Sequence, residues 1–312
     1  MTTNAFVKIK EVNYTIVSPN SVFAFKDKSL CNYSTDYICN LRGNKEKQIE
    51  KSERFSNLIK KFNNKIKNYQ YIDKETVSFI SSFTHGTVHG YASIWEYIIF
   101  YLNNNLTCNV LLSSNTQNGM IELVSKIIGE DKIIFIKPGI LYKIKEVTFI
   151  RLTQMMLFDS YWIKVEPFLK KYVLNSNFIC LHKKVCIVKC DICTNVTKTG
   201  ILKVEDVNKF CAKYDFYNLI PSKHNEIETA NIVWNCEYFV TSWGTAYYKN
   251  IRYIGENCKK IYVIIPPGFE SQYNKRKNPI TFTHSHVYKK YKNATVTYIC
   301  LRNITNLTLD IS

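Results

Sequence analysis

The stretch 225–250, NEIETANIVWNCEYFVTSWGTAYYKN, holds the residue types best suited to ligand chemistry. Ser242-Trp243-Gly244-Thr245 follows the uncharged run Tyr238-Phe239-Val240, whose β-propensity predicts a short buried strand. Hydroxyls and a glycine at the carboxyl end of a strand leave oxygens and backbone N–H groups available to a ligand, and N–H groups there suit phosphate. An ordinary strand-to-helix turn would carry the same residues. Upstream, Ile227, Ala230, Val233 and Trp234 recur at three- and four-residue intervals and predict a helix. Asn225 stands at its N-cap position with Glu228 three residues on, the spacing of a capping box.

A second candidate is Thr84-His85-Gly86-Thr87-Val88-His89-Gly90. It follows a strand predicted over Thr76–Phe83 and precedes Tyr91, Ile94, Trp95, Ile98, Ile99 and Leu102, whose spacing predicts a helix. Two histidines four apart could hold a metal if helical, but Gly86 and Gly90 oppose a helix there and no acidic ligand is near. In a glycine-rich loop a histidine can hydrogen-bond a ligand or act as a base, since imidazole titrates near neutral pH. Capping the following helix is the alternative. Cys190 and Cys193 have CxxC spacing, but no second pair follows to complete a zinc site. The expectation is no metal.

Length and charge bound the rest. The 312 residues suggest two domains, and 46% hydrophobic content is that of a globular protein. A net charge of +17 favours an anionic partner: nucleotide phosphates, nucleic acid, an acidic glycan or a membrane surface. The N-terminal MTTNAFVKIKEV has no apolar h-region, and no run approaches the roughly 18 apolar residues of a membrane span. The expected setting is therefore cytoplasmic, with the eleven cysteines reduced.

The elements that must position these residues alternate. One or two strands are expected in 5–26, and an amphipathic surface helix in 55–67. Strands and helices then alternate through Val110–Leu112, 117–128, Ile133–Ile136 and Ile144–Ile150, the doubly wound pattern. Tyr161–Leu174 looks helical despite Pro167. Val185–Val188, a helix through Val204–Tyr214, Tyr217–Ile220, the opening stretch and Lys260–Ile265 repeat the alternation. The expected division is a first Rossmann-like domain, 1–150, a second, 151–268, and a tail, 269–312, that can return to the first.

Residues 185–265 resemble the catalytic region of the family 61 glycosyltransferases. The resemblance rests on Val185 to Lys189 (a strand ending in a basic residue), the loop to Gly200, the helix from Val204, Leu219-Ile220-Pro221, Glu228, and Ser242-Trp243-Gly244-Thr245 with Asn250. The His89 segment and its aromatic helix resemble the family's N-terminal histidine motif. The family usually carries arginine where Lys189 stands and often histidine where Trp243 stands, and Asn250 falls one position late.

The resemblance implies an α/β enzyme of the GT-B type, with two Rossmann-like domains facing across a cleft. Such an enzyme transfers a sugar from a nucleotide sugar to a hydroxyl of a glycan or glycoprotein acceptor, inverting the anomeric centre without a metal or other cofactor. Lys189, Lys249, Ser242, Thr245 and the N–H groups around Gly244 would neutralise the departing diphosphate. Glu228 would bond the donor ribose, Trp243 would stack on the donor or fill the core, and Asn250 would complete the donor motif. His89 would be the general base. Two other readings stand beside it: a degenerate transferase fold serving as a glycan-binding scaffold, and a basic nucleic-acid-binding protein. The second lacks a helix-turn-helix, zinc-finger or aromatic RNA-binding signature, so nucleic acid is not the expected partner.

Overall fold

Apolar residues cluster into two separate sets of elements, and the chain divides into two compact units, Met1–Met156 and Leu157–Ser312. A computed structural model describes residues 6–18, 21–26, 29–30, 69–80, 87–150, 165–188, 202–265, 294–300 and 304–309. The amphipathic segment 55–67, His85, Lys189, the CxxC pair, the loop to Gly200 and the basic tail residues 275–290 lie outside the described residues.

The first unit holds β1 (Phe6–Ser18), β2 (Ser21–Lys26), β3 (Ser29–Leu30), β4 (Tyr69–Ser78), α1 (Thr87–Asn103), β5 (Asn109–Ser113), α2 (Asn118–Ile128), β6 (Ile133–Ile136) and β7 (Leu141–Ile150). Its sheet runs β3-β2-β1-β7-β4-β5-β6. The β7-β4-β5-β6 part is parallel, while β1 pairs antiparallel with both β7 and β2, and β2 with β3.

Two expectations change here. β4 begins at Tyr69, seven residues before the predicted start. Its first half is almost wholly exposed, so it carries no burial pattern; pairing with β7 makes it a strand. α1 begins at Thr87 and runs through Gly90, which places His89 in the first turn of the helix rather than in a loop. A helical glycine costs about 1 kcal/mol. Full burial of Ile94, Trp95 and Ile98 one to two turns further on more than offsets that cost.

The second unit holds a helical segment from Val165 that passes into a π-helical turn, Leu169–Val173. There follow β8 (Lys184–Ile187), α3 (Val204–Tyr214), β9 (Tyr217–Asn218), α4 (Glu226–Trp234), β10 (Tyr238–Ser242), α5 (Thr245–Asn250), β11 (Lys260–Ile265) and β12 (Thr295–Cys300). All five strands are parallel, in the order β12-β11-β10-β8-β9. The tail strand thus pairs with β11 in this unit.

β10 is buried along its whole length, as a strand covered on both faces must be. One face packs Cys186, Val188, Val240, Tyr262 and Ile264 against Val207, Phe210 and Cys211 of α3 and against Ile304 and Leu307. The alternate positions Val185, Ile187, Phe239, Ile261 and Val263 are equally buried, so the opposite face is covered as well. Buried Asn231 of α4 ties in the π-helical turn. Its amide donates to Val173 O at 3.2 Å and its carbonyl accepts from Asn175 N at 2.8 Å. Gly255 passes so near α4 that a Cβ there would stand 2.1 Å from Trp234 O.

A buried ion pair joins α4 to α5. Lys249 Nζ lies 2.6 Å from Glu226 Oε2, and Tyr253 Oη donates to Glu226 Oε1 at 2.6 Å. Glu226 is 3% exposed. Glu226→Ala strands the lysine and should cost about 3–5 kcal/mol, whereas the double change Glu226→Leu, Lys249→Met should recover most of that. Urea unfolding measures both, and a loss below about 1 kcal/mol for Glu226→Ala would mean the pair does not hold the two helices together.

Candidate functional site

The order of the second sheet decides where a site can form. The chain steps from β8 outward to β9, returns past β8 to β10, and continues through β11 to β12. The connections leaving β8 and β10 therefore depart in opposite directions. In open parallel sheets that divergence opens a crevice at the carboxyl ends of the two strands. Here those ends are Ile187-Val188, leading to Lys189, and Ser242-Trp243-Gly244.

β10 runs through Ser242 rather than ending before it, because Ser242 pairs in register with Ile264 of β11 and is fully buried. Trp243 N then donates to Ile264 O at 2.6 Å, extending the ladder by one residue. Gly244 turns the chain at φ +107°, ψ −144°, a conformation essentially confined to glycine, and α5 starts at the next residue. Thr241 Oγ1 and Asn250 Oδ1 have no hydrogen-bond partner among the described residues, and both residues are at most 1% exposed.

Half-buried Trp243 stacks on Tyr247 at 5.5 Å between ring centroids and 16° between planes. Tyr298 of β12 meets Trp243 edge-on at 6.1 Å, and its hydroxyl lies 3.1 Å from that of Tyr247. An aromatic cluster therefore stands beside the carboxyl end of β10, with Tyr247 fully buried and Trp243 and Tyr298 half-buried. Spacing could have found Tyr247, one helical turn after Trp243, although it was not among the expected residues. Tyr298 lay beyond such spacing, because it arrives from fifty residues away through the pairing of β12 with β11.

Ser242, Trp243, Gly244 and Thr245 thus run without a break from the end of β10 into the start of α5, while the other expected residues are placed differently. Lys249 sits at the far end of α5, and its charge is balanced by Glu226. Asn250 ends the same helix, with Nδ2 donating to Ala246 O at 2.8 Å. α5 has six residues, too few for a substantial dipole at its start. Lys189 lies outside the described residues.

Asn225 Oδ1 accepts from Glu228 N at 2.7 Å, the expected N-cap. The Glu228 carboxylate turns to His224, with Oε1 3.1 Å from Nδ1 but outside hydrogen-bonding geometry. His224 Nε2 lies 2.9 Å from Tyr217 Oη, and Tyr217 stacks flat on His182 at 3.7 Å. Glu228 is therefore turned toward His224, just before the start of its own helix.

The amino end of the sheet has different chemistry. Cys236 and Cys258 precede β10 and β11 by the same two residues and so meet in register. A hydrogen bond with Cys258, and then burial, holds the Cys236 thiol well above its ordinary range. That is an inert thiol rather than a nucleophile. Among the described residues no group of three or more metal-ligating side chains converges, and no helix is long and apolar enough to cross a membrane. No family model and no curated protein matches the chain.

Gly244→Ala tests the turn. No atom lies within 4 Å of where a Cβ would be, so the cost is backbone strain alone, about 1–3 kcal/mol. Denaturant unfolding should show that loss together with altered near-ultraviolet dichroism from the Trp243 stack. An unchanged midpoint would mean the turn tolerates another conformation.

Proposed function

We propose that the protein is a glycosyltransferase that uses a nucleotide-sugar donor, with the donor held at the carboxyl end of the second unit's sheet. The observation that carries the reading is the β9-β8-β10-β11-β12 order, which opens a switch point beside Ser242-Trp243-Gly244-Thr245. The resemblance of residues 185–265 to family 61 glycosyltransferases supports the same site. In this reading the second unit is a Rossmann-like nucleotide-binding domain and the protein is of the GT-B type.

The chemistry assigned is an inverting substitution. The acceptor hydroxyl oxygen bonds to the anomeric carbon as the bond from that carbon to the donor phosphate oxygen breaks. The electron pair leaves with the nucleoside diphosphate, and the hydroxyl proton passes to His89. Lys189, the Ser242 and Thr245 hydroxyls and the N–H groups around Gly244 oppose the developing diphosphate charge. Lys189 does so as a point charge, without an arginine's two-pronged geometry. The exposed part of Trp243, braced by Tyr247 and Tyr298, offers a face for the base or sugar.

The balancing of Lys249 by Glu226 favours a second reading, a transferase fold that binds a nucleotide sugar without turnover. It leaves Lys189 as the main cation for the leaving group. Thermal unfolding against a panel of nucleotides and nucleotide sugars, with and without EDTA, separates the cases. A selective, EDTA-insensitive upward shift with one nucleoside diphosphate is expected, and Lys189→Ala should abolish it. His89→Ala should then lower turnover by about a hundredfold or more while leaving that shift intact. A shift without turnover selects the binding protein. No shift with any nucleotide overturns both readings.

A further inference from the structure

Three cysteines of the second unit gather at the amino end of β10 and β11. Lys259 N donates to Glu237 O at 2.7 Å, so the residues just before them, Cys258 and Cys236, stand side by side on neighbouring chains. Both are buried, and the Cys236 thiol hydrogen-bonds to Cys258. The third is Cys180, on the segment that leads into β8. Its thiol lies 3.8 Å from Ile232 O in the last turn of α4, and Cys236 N donates to Val233 O of the same turn at 3.4 Å. Cys180 Sγ also donates to His182 O at 3.2 Å. Unlike the pair, Cys180 is only partly covered.

Neighbouring strands lie about 4.8 Å apart, within the span between Cα atoms that a disulfide bridges. Burial, which leaves the resting Cys236 thiol inert, also bars a solute from reaching it, so any reaction must begin at Cys180. We infer that Cys236 and Cys258 are a redox-active pair, closed to a disulfide by a small-molecule disulfide such as oxidised glutathione, with Cys180 as the entry thiol. Cys180 attacks the glutathione disulfide. A Cys180–glutathione bond forms, and one glutathione leaves with the Cys180 proton. Cys236 then attacks the Cys180 sulfur and expels the second glutathione, which takes the Cys236 proton. Cys258 attacks the Cys236 sulfur, and its proton returns to Cys180. Two protein thiols are thereby oxidised, and one glutathione disulfide is reduced to two thiols. Cys236 reacts in this sequence despite holding its proton, because groups kept in contact react as if at very high concentration. The product ties together the starts of β10 and β11. The donor turn lies at the other end of β10, so either assignment can fail alone.

Incubation of the folded protein with oxidised glutathione, alkylation of the remaining thiols and mass spectrometry of a non-reduced digest test it. Peptides linked through Cys236 and Cys258 should accumulate, and dithiothreitol should part them. Cys180→Ser should slow their formation about tenfold or more without changing the product. Cys258→Ala should stop the sequence at a Cys180–Cys236 disulfide. The oxidised wild type should melt several degrees above the reduced form, because the link restricts the unfolded chain. No Cys236–Cys258 link in the folded protein, a link that forms as fast in Cys180→Ser, or an oxidised form that melts no higher would each overturn the assignment. So would a link that forms only in denaturant. Circular dichroism establishes that both variants are folded, and the wild-type link and midpoint decide the matter without them.

Discussion

The parallel pairing of β10 between β8 and β11 is the constraint on which the second unit depends. Tyr238–Ser242 is buried on both faces, and its backbone groups are satisfied only by these two neighbours. Once β10 takes the central place, the chain must leave it in the direction opposite to that taken from β8. A switch point between β8 and β10 follows from that reversal. The same ladder brings Cys236 beside Cys258 at the other end, so one strand divides the unit into a polar, aromatic end and an inert, thiol-lined end.

Charge is distributed in keeping with this division of labour. Lys249, mostly covered in the second unit, is spent on structure. Lys249 neutralises Glu226, and the pair, completed by the Tyr253 hydroxyl, fixes α5 against α4. A buried pair of this kind contributes positional specificity more than net stability, because desolvation consumes most of the Coulomb gain. Exposed Lys143, by contrast, forms no ion pair among the described residues. A high net charge in the sequence thus says little about which lysines can meet an anion until their acidic neighbours are known.

The sequence determined the elements whose burial pattern is local. Helical spacing placed α2, α3 and α4 closely, and α1 from Tyr91 onward, and Asn225 announced the start of α4 because an N-cap bond needs only residues three apart. Uncharged β-branched and aromatic runs likewise marked β5, β6, β8, β10 and β11, and with them the mixed α/β class. Ser242-Trp243-Gly244-Thr245 was legible as a turn after a strand for the same reason.

Tertiary structure decided whatever depended on residues distant in sequence. β4 extends back to Tyr69 only because β7 pairs with it, and the exposed residues there carry no periodicity to betray a strand. Gly90 is helical because the core gained by Ile94, Trp95 and Ile98 outweighs a local propensity. Tyr298 joins Trp243 and Tyr247 through strand pairing, and Lys249 is drawn to Glu226 rather than to the turn because a buried carboxylate is the stronger attraction. Spacing along the chain can nominate residues for a site. Which of them keep a free charge or an open ring is set by long-range neighbours that no local pattern encodes.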